Sequence, residues 1–311
     1  MITVEGLTHY YGERRAIEGL SFTISRNECV GFLGRNGAGK STTLKILAGL
    51  VVPSAGTVSL DGADLVSSTA AFRSRIGYLP EDPPLYKDMT VADYVLFCGQ
   101  LKGMSGPQAR ARLAPALAAT NLTEVQHRVI NELSHGYRQR CGIAQAIIHQ
   151  PKLVVLDEPT NGLDPMQRVE MRDVVRNLSK TCTVLISSHN LPEIHETCDR
   201  ILMLSKGRIV AQGSEAELAT LAGQRGMRIT LVVRADRALV ERALAGFDGL
   251  NTLEIEPHAE GMARVQVALA GDNREQLVAR LVAAGAGIRR MIEDESELEE
   301  IFLDLTKEAT S

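Results

Sequence analysis

A glycine-rich stretch near the start of the chain constrains its fold more than any other feature of the sequence. It reads Gly34-Arg35-Asn36-Gly37-Ala38-Gly39-Lys40-Ser41, follows the apolar run 29–33 and precedes a helical pattern that begins at Thr42. An apolar strand, a glycine-rich turn and a helix form the context in which the pattern G-x-x-x-x-G-K-[ST] binds phosphate. The turn's N–H groups point inward and the helix N-terminus adds its positive end, so the stretch predicts a nucleotide phosphate-binding loop rather than a chance turn.

Individual residues of this loop have predicted roles toward ATP and Mg²⁺. Lys40 is expected to reach the β- and γ-phosphates, and the Ser41 hydroxyl is expected to ligate Mg²⁺. The loop residues predicted to contact the nucleotide are Gly34, Arg35, Asn36, Gly37, Ala38, Gly39, Lys40, Ser41 and Thr42. Tyr11 lies upstream, where its ring could stack on adenine with about 1–3 kcal/mol. The alternative for Tyr11 is simple packing at the end of a strand.

Two later strands carry polar residues at their ends. Leu153–Leu156 is continuously apolar and is followed by Asp157 and Glu158, as expected of a buried parallel strand whose carboxyl end meets a ligand. Asp157 is predicted to hold Mg²⁺ through water and Glu158 to polarise the attacking water; neighbouring strand residues point to opposite sides, which separates the two roles. His189 follows the strand 183–188 and is predicted to bind the γ-phosphate, although a lone histidine is more often structural.

Composition limits the other classes of function. The chain of 311 residues has room for about two domains. Its net charge is −4 and it has no Lys/Arg-rich run, so nucleic acid is not expected as a partner. The first residues lack the features of a secretory signal, and no apolar run approaches the roughly 20 residues that span a bilayer. A role at a membrane is therefore expected to require a partner.

The five cysteines at positions 29, 98, 141, 182 and 198 are scattered singly. Without a C-x-x-C pair, they predict small buried residues in a reducing compartment rather than disulfides or a metal site.

Taken together, the motifs resemble the ATP-binding-cassette (ABC) ATPases. Between residues 11 and 213 the chain has the family's order of motifs: phosphate loop, glutamine-type loop at Glu81, signature at 133–137, carboxylate strand, the turn with Asp164, and the switch histidine. The signature departs from the family's Leu-Ser-Gly-Gly-Gln, because this chain has Leu133-Ser134-His135-Gly136-Tyr137. It keeps Ser134 and Gly136, which carry the γ-phosphate contact in the family.

A second departure is Glu81, which stands where the family often has glutamine. The resemblance implies that its carboxylate replaces the amide oxygen near Mg²⁺. The variants Leu-Pro-Glu at 79–81 and Leu-Ser-x-Gly-Tyr-Arg-Gln-Arg at 133–140 look like the branch that drives ABC-2-type exporters, with its gliding-motility, sodium-extrusion and drug-resistance subunits. The transported substrate does not follow from that branch.

The resemblance also implies partners. Two copies would stack head to tail, with Ser134 and Gly136 of each copy capping the ATP of the other and Asp164 at the interface. A homodimer is the simplest such form. The dimer would drive a separate transmembrane permease, which would hold it peripherally on the inner face of the cytoplasmic membrane. Leu85 and Tyr86, beside Glu81, are expected to offer an apolar groove to a permease helix, the alternative being that both pack inward.

The expected fold class is α/β, and the expected boundaries follow from the change of pattern after Gly213. Residues 1–222 are predicted to form the ABC cassette, with a RecA-like core, an antiparallel β subdomain and a helical subdomain at about 90–150. Residues 226–311 are predicted to form a small α+β domain in the order β-α-β-β-α-β of a ferredoxin-like unit. An amphipathic helix at 298–305 is expected to close it, docking on its own sheet or on a second copy.

Two other classes of ABC ATPase fit the sequence less well than an exporter motor does. Soluble ABC ATPases of DNA maintenance or translation usually carry a long coiled coil or two cassettes in one chain, and this sequence has neither a heptad run nor an internal repeat. A third class is a scaffold for an assembly machine that does not hydrolyse ATP. The presence of both Glu158 and His189 argues against that class.

Overall fold

A computed structural model of the chain describes residues 1–214, 216–218, 227–259 and 261–293. The chain divides into two compact units, one up to Glu215 and the other starting at Ala216. The predicted domain boundary at 222–226 and the predicted helix at 298–305 lie outside the described residues.

The first unit contains ten strands and seven helices within the described residues. The strands are β1 (Ile2–Tyr11), β2 (Arg14–Ile24), β3 (Cys29–Gly34), β4 (Ala55–Leu60), β5 (Ala63–Asp64), β6 (Ile76–Leu79), β7 (Leu153–Asp157), β8 (Thr183–Ser188), β9 (Arg200–Ser205) and β10 (Arg208–Gly213). The helices are α1 (Lys40–Leu47), α2 (Thr69–Arg73), α3 (Val91–Leu101), α4 (Gly106–Ala119), α5 (His135–Ile147), α6 (Pro165–Ser179) and α7 (Leu191–Thr197).

An antiparallel sheet in the order β2-β1-β4-β5 opens the chain. The sequence pattern predicts shorter first strands, at 2–7 and 20–25, with Tyr10-Tyr11-Gly12 between them. That prediction was too short, because β1 and β2 pair all the way to Tyr11 and Arg14. Three shifts of register between Val4 and Tyr10 interrupt the alternation of inward and outward side chains while the pairing continues. Strands are predicted from strict alternation of apolar and polar residues, so a strand with irregular alternation is underestimated.

The central sheet has the order β10-β9-β3-β8-β7-β6, and all its pairings are parallel except the one with edge strand β10. Every residue of β3, β7 and β8 is buried, as their continuous apolar runs predict. Since parallel strands end at the same edge of a sheet, Gly34, Asp157 and Ser188 finish side by side. This edge positions the functional site.

Three helices, α3, α4 and α5, fill most of the region that was predicted to be helical at about 90–150. Each begins at a hydroxyl residue whose side chain accepts an N–H of the first turn: Thr90, Ser105 and Ser134. A glycine at position 106 predicts a break in the helical pattern, but Gly106 is the first residue of α4. The reason is a capping box in which Ser105 and Gln108 satisfy each other's backbone N–H.

The second unit has strands β11 (Met227–Arg234), β12 (Leu250–Ala259), β13 (Met262–Leu269) and β14 (Gly287–Glu293), with helices α8 (Arg237–Leu244) and α9 (Arg274–Ala283). The predicted β-α-β-β-α-β order is confirmed, and the strands form an antiparallel sheet in the order β12-β13-β11-β14. This is the ferredoxin-like arrangement. Its core joins apolar residues of the sheet, such as Leu231 and Val265, to Val240 of α8 and Leu277 of α9.

None of the five cysteines forms a disulfide. Cys29, Cys141 and Cys182 are buried, as predicted, whereas Cys98 and Cys198 are half-buried. Burial raises the pKa of Cys141 to about 12 and that of Cys182 to about 11, which keeps both in the unreactive thiol form. Among the described residues, no helix combines the length and apolar character needed to cross a bilayer.

Candidate nucleotide site

A cavity of about 710 Å³ opens at the carboxyl edge of the central sheet. It is lined by Tyr11, Arg14, Arg15, Ala16, Arg35, Asn36, Gly37, Gly39, Lys40, Ser41, Thr42, Glu81, Glu158, Asn161 and His189. Eleven of these fifteen residues were singled out from the sequence. The structure therefore brings together residues from Tyr11 to His189 in one space large enough for a small ligand.

Gly39 shows why the loop before α1 requires glycine. It has φ +105°, in the left-handed region, and caps α1. A Cβ atom at this position would lie 2.7 Å from Cγ2 of Ile17 and 2.9 Å from the carbonyl oxygen of Ala16. Both the backbone conformation and the close approach of β2 exclude a side chain, so the loop can curl only with glycine here.

Lys40 is a buried cation at the start of α1, only 5% exposed. Its Nζ donates a hydrogen bond to the carbonyl oxygen of Gly34 at 2.6 Å and lies 3.3 Å from Oε1 of Glu158. The ammonium group thus spans the mouth of the loop and neutralises a carboxylate that is itself buried. A phosphate entering the loop would find this cation already oriented.

Oxygen ligands converge beside the loop. Ser41 Oγ donates to Oδ1 of Asp157 at 3.2 Å, and Ser187 Oγ donates to the same oxygen at 2.7 Å. A hydroxyl and a carboxylate are ligands that suit Mg²⁺, which commonly completes its shell with water and nucleotide phosphates. Among the described residues, no cluster of three or more His, Cys, Asp or Glu side chains could hold a metal unaided. The donor set therefore fits a metal ion that arrives with a nucleotide.

Glu158 leaves the strand in a way that the sequence did not predict. Alternation along a strand was expected to separate Asp157 from Glu158, but β7 ends at Asp157 and Glu158 has φ +48°. The left-handed backbone of the turn directs this carboxylate, and its N–H donates to Oγ of Ser187 at 2.9 Å. Its Oε2 lies 3.0 Å from Nδ1 of His189, whose side chain is 56% exposed. A buried carboxylate and an accessible imidazole thus face the same cavity.

The hairpin of β1 and β2 supplies residues that sequence reasoning missed. Tyr11 lines the cavity, is 49% exposed and packs edge-on against His9 at 4.7 Å between ring centroids. Arg14 pairs with Tyr11 across the hairpin, so Arg14, Arg15 and Ala16 reach the same wall. The turn at Tyr11-Gly12 and the two arginines that come after it could have indicated a hairpin that reaches the cavity. They were missed because the lengths of the two strands were underestimated.

Glu81 and Asn161 also meet at the cavity. Asn161 Nδ2 donates to Oε1 of Glu81 at 2.8 Å, across 80 positions of sequence. Glu81 was predicted as a site residue and Asn161 was not. Asn161 could have been identified from its position in the turn 159–165, which follows the carboxylates Asp157 and Glu158.

The signature residues lie elsewhere. Ser134, Gly136 and Asp164 do not line the cavity. Ser134 caps α5 by accepting from the N–H of Tyr137, and Asp164 caps α6 by accepting from the N–H of Gln167 at 2.9 Å. A Cβ atom on Gly136 would lie 2.8 Å from Oε1 of Gln167, so the starts of α5 and α6 approach closely. Three further predicted residues, Gly34, Ala38 and Asp157, also do not line the cavity. Gly34 accepts from Lys40, Asp157 accepts from Ser41, and the Ala38 N–H donates to the carbonyl oxygen of Arg35.

Comparison with known sequences identifies the same elements in other proteins. The family model for ABC transporters matches residues 17–161. The linearmycin resistance ATP-binding protein LnrL of Bacillus subtilis is 31% identical over 98% of this chain and 98% of its own. The Nod factor export ATP-binding protein I of Burkholderia orbicola is 36% identical over 95% of this chain and 93% of its own. The daunorubicin/doxorubicin resistance ATP-binding protein DrrA of Streptomyces peucetius is 33% identical over 98% of this chain and 92% of its own.

Solved structures agree on the fold. An ATP-binding subunit of an ABC transporter superposes with a TM-score of 0.64 at 30% identity, covering 73% of this chain and 95% of that one. A bacterial ABC transporter cassette solved as a dimer superposes with a TM-score of 0.61 at 27% identity, covering 69% of this chain and 98% of that one. These similarities confirm the predicted cassette fold. The chain therefore belongs to the ATP-binding proteins of the ABC transporter family, the ATPases that drive transport.

Proposed function

We propose that this protein is the ATP-hydrolysing motor of an ABC-2-type exporter, acting as a head-to-tail homodimer on a separate transmembrane permease. The observation that carries the proposal is the arrangement of Lys40, Glu158 and His189 around one cavity. The names of similar proteins support export, since they include a linearmycin resistance, a Nod factor export and a daunorubicin/doxorubicin resistance subunit. The complete catalytic set disfavours a scaffold that does not hydrolyse ATP.

The chemistry follows from the positions of the side chains. Glu158 accepts the proton of the attacking water, because its carboxylate faces the cavity and is buried away from bulk solvent. His189 Nδ1 lies 3.0 Å from Oε2 of Glu158, which leaves the other ring nitrogen, Nε2, for a γ-phosphate oxygen. Lys40 and the loop N–H groups hold the β- and γ-phosphates. Ser41, Asp157 and Glu81 would hold Mg²⁺, which supplies charge neutralisation for the phosphates.

A dimer is proposed because the signature residues do not line the cavity of their own chain. Ser134 lies at the exposed N-terminus of α5, where its hydroxyl and the helix N–H groups can donate hydrogen bonds to the γ-phosphate of the ATP bound by a second copy. Asp164 caps the neighbouring helix α6 and would lie at the same interface. Dimeric structures of a similar cassette, one of them bound to ADP and Pi, support this arrangement.

Mixed dimers test the composite site. A chain with Lys40→Ala combined with a chain with Ser134→Arg should form one doubly damaged site and one intact site, because Ser134 acts in trans. We expect each parent to occlude no ATP and the mixed dimer to occlude one molecule, measured with radiolabelled ATP on affinity-separated mixed dimers. Counting occluded ATP avoids any requirement that both sites hydrolyse together. Mixed dimers that occlude none would contradict the trans arrangement.

The proposed permease contact involves the loop after Glu81. Tyr86 is 55% exposed and packs edge-on against Phe97 at 5.4 Å between ring centroids, whereas Leu85 is half-buried. Tyr86 is therefore the aromatic side chain available to anchor a short permease helix, and Leu85 forms part of the floor.

Tyr86→Ala is expected to reduce copurification of the membrane partner from a gentle detergent extract at least about tenfold, as for a typical aromatic anchor. Basal ATPase activity of the isolated subunit should stay within about twofold of the unmodified protein, since Tyr86 does not line the nucleotide cavity. Leu101→Ala is the matched control, because Leu101 is another exposed apolar residue, at the far end of α3. Unchanged copurification with lost ATPase activity would contradict the assignment, and failure to find any membrane partner would favour a cassette ATPase without transport.

A further inference from the structure

We propose that Asn161 is a positioning residue that sets the direction of the Glu81 carboxylate toward the metal and couples it to the signature helix of the same chain. The proposal rests on the proposed function, in which Glu81 helps to hold Mg²⁺. Asn161 and Glu81 both line the nucleotide cavity, and the Asn161 amide donates to Oε1 of Glu81 at 2.8 Å. A hydrogen bond from a fixed amide to a carboxylate is charge-assisted and therefore stronger than one between neutral groups.

Asn161 is itself held firmly by the turn that follows the catalytic strand. Its N–H donates to the carbonyl oxygen of Glu158 at 3.0 Å. The preceding residue, Thr160, is buried and donates to Oε2 of Glu193 at 2.6 Å. The main chain of Asn161 is thus tied to the main chain of Glu158, so a shift of the backbone at Glu158 would also shift the partner of Glu81.

Glu81 depends on this contact for its side-chain direction. Its backbone is anchored, because the buried Gln139 donates through Nε2 to the Glu81 carbonyl oxygen at 3.0 Å. Its side chain is exposed, and in the part of the chain that the structure describes its carboxylate has no hydrogen-bond donor other than Asn161. Asn161 donates to Oε1 of Glu81, which leaves Oε2 of the same carboxylate to coordinate the metal. Without the amide, the carboxylate would have to be ordered by the metal alone.

The same residue contacts the signature. The carbonyl oxygen of Asn161 lies 3.1 Å from Nε2 of His135, the first residue of α5, directly after Ser134. The donor is the Nε2–H of the imidazole. Asn161 therefore contacts Glu81 through its side chain and the start of α5 through its main chain. The position of the metal-directed carboxylate in one site is connected to the serine that this chain offers to its partner's site.

The test measures how much Mg²⁺ adds to nucleotide binding. The probe is a fluorescent, non-hydrolysable ATP analogue, and the quantity is the ratio of its affinity with Mg²⁺ to its affinity in EDTA. Asn161→Ala should lower this ratio about tenfold, the effect typical of losing a partner of a metal ligand, while affinity in EDTA stays unchanged. Glu81→Ala should lower the ratio at least as much. The double variant should equal Glu81→Ala alone, because Asn161 acts through Glu81.

Two further variants separate positioning from a general structural effect. Asn161→Asp places a carboxylate against Glu81 and should lower the ratio at least as much as Asn161→Ala. Combining it with Glu81→Gln exchanges donor and acceptor, restores the hydrogen bond and should recover most of the ratio. His135→Ala is the matched control, since it leaves the Asn161 amide in place and should leave the ratio unchanged while slowing hydrolysis in the dimer.

The outcomes distinguish the two proposals. An unchanged ratio for Glu81→Ala would show that Glu81 does not bind the metal, which would overturn its part in the proposed function. A lowered ratio for Glu81→Ala with additive effects of Asn161→Ala, or none, would overturn the positioning role and leave the function intact.

Discussion

Glu158→Gln is expected to lower kcat for ATP hydrolysis about 10²- to 10⁴-fold, the usual contribution of a positioned general base. Glutamine keeps the shape of the side chain and can still contact Lys40 and His189, but its amide does not accept a proton from water. Nucleotide binding should survive, because the proposed phosphate ligands, Lys40 and the loop N–H groups, are unchanged by this substitution. ATP would then be bound and not hydrolysed, so ATP-bound dimers should accumulate.

Two measurements check this result. Steady-state hydrolysis at saturating ATP gives the loss of kcat, and light scattering with ATP and Mg²⁺ gives the dimer fraction. Glu193→Gln is the matched control: Glu193 is another largely buried carboxylate near this edge, bonded to Thr160 and Ser188, but it does not line the cavity. Its turnover should remain within a few-fold of the unmodified enzyme. Turnover of Glu158→Gln at the normal rate would mean that another group is the base.

Lys40→Ala is expected to weaken ATP binding at least about 30-fold, since breaking a buried charged pair costs about 2–5 kcal/mol or more. The substitution removes the cation that donates to Gly34 and lies 3.3 Å from Glu158. It also leaves Glu158, which is 7% exposed, as an unpaired negative charge facing the incoming phosphates. Loss of the attraction between Lys40 and the phosphates and gain of repulsion from Glu158 both lower the affinity for ATP.

The repulsion can be separated from the attraction. Adding Glu158→Gln to Lys40→Ala removes the unpaired charge and should recover part of the lost affinity, measured with the fluorescent analogue in EDTA. Lys45→Ala is the matched control, because Lys45 lies on the same helix but is exposed and away from the cavity. If Lys40→Ala bound the analogue normally, or if the second substitution weakened binding further, the electrostatic account would be wrong.

The sequence predicted the elements whose signals are local. A run of apolar residues predicts a buried parallel strand, and glycines spaced around a lysine predict a phosphate loop, because strand burial and turn geometry are properties of a few consecutive residues. The positions of Lys40, Ser41 and Asp157 follow from these signals. The ferredoxin-like order of the second unit followed in the same way from alternating strands and helical spacing.

The predictions that failed depended on register and on backbone conformation. The β1–β2 hairpin continues through three shifts of register, so its strands were underestimated and the contribution of Arg14 to the cavity was missed. Glu158 was assigned a direction from strand alternation, whereas its left-handed backbone sets that direction. Neither feature has a periodic signature, because a bulge and a single positive φ each break the period from which strands are recognised.

The phosphate loop, the carboxylate strand and the histidine at the end of a parallel strand could all be predicted from sequence, since each is encoded within a short segment. Which distant residues meet depends on the tertiary structure. The contact between Glu81 and Asn161 spans 80 positions of sequence. The ion pair of Lys40 with Glu158 joins a residue that follows β3 to one that follows β7. Such contacts depend on the order of strands in the central sheet, because β3, β8 and β7 lie side by side although long segments separate them in sequence. Local propensity fixes no such order, which arises when the buried faces of the strands and helices pack together.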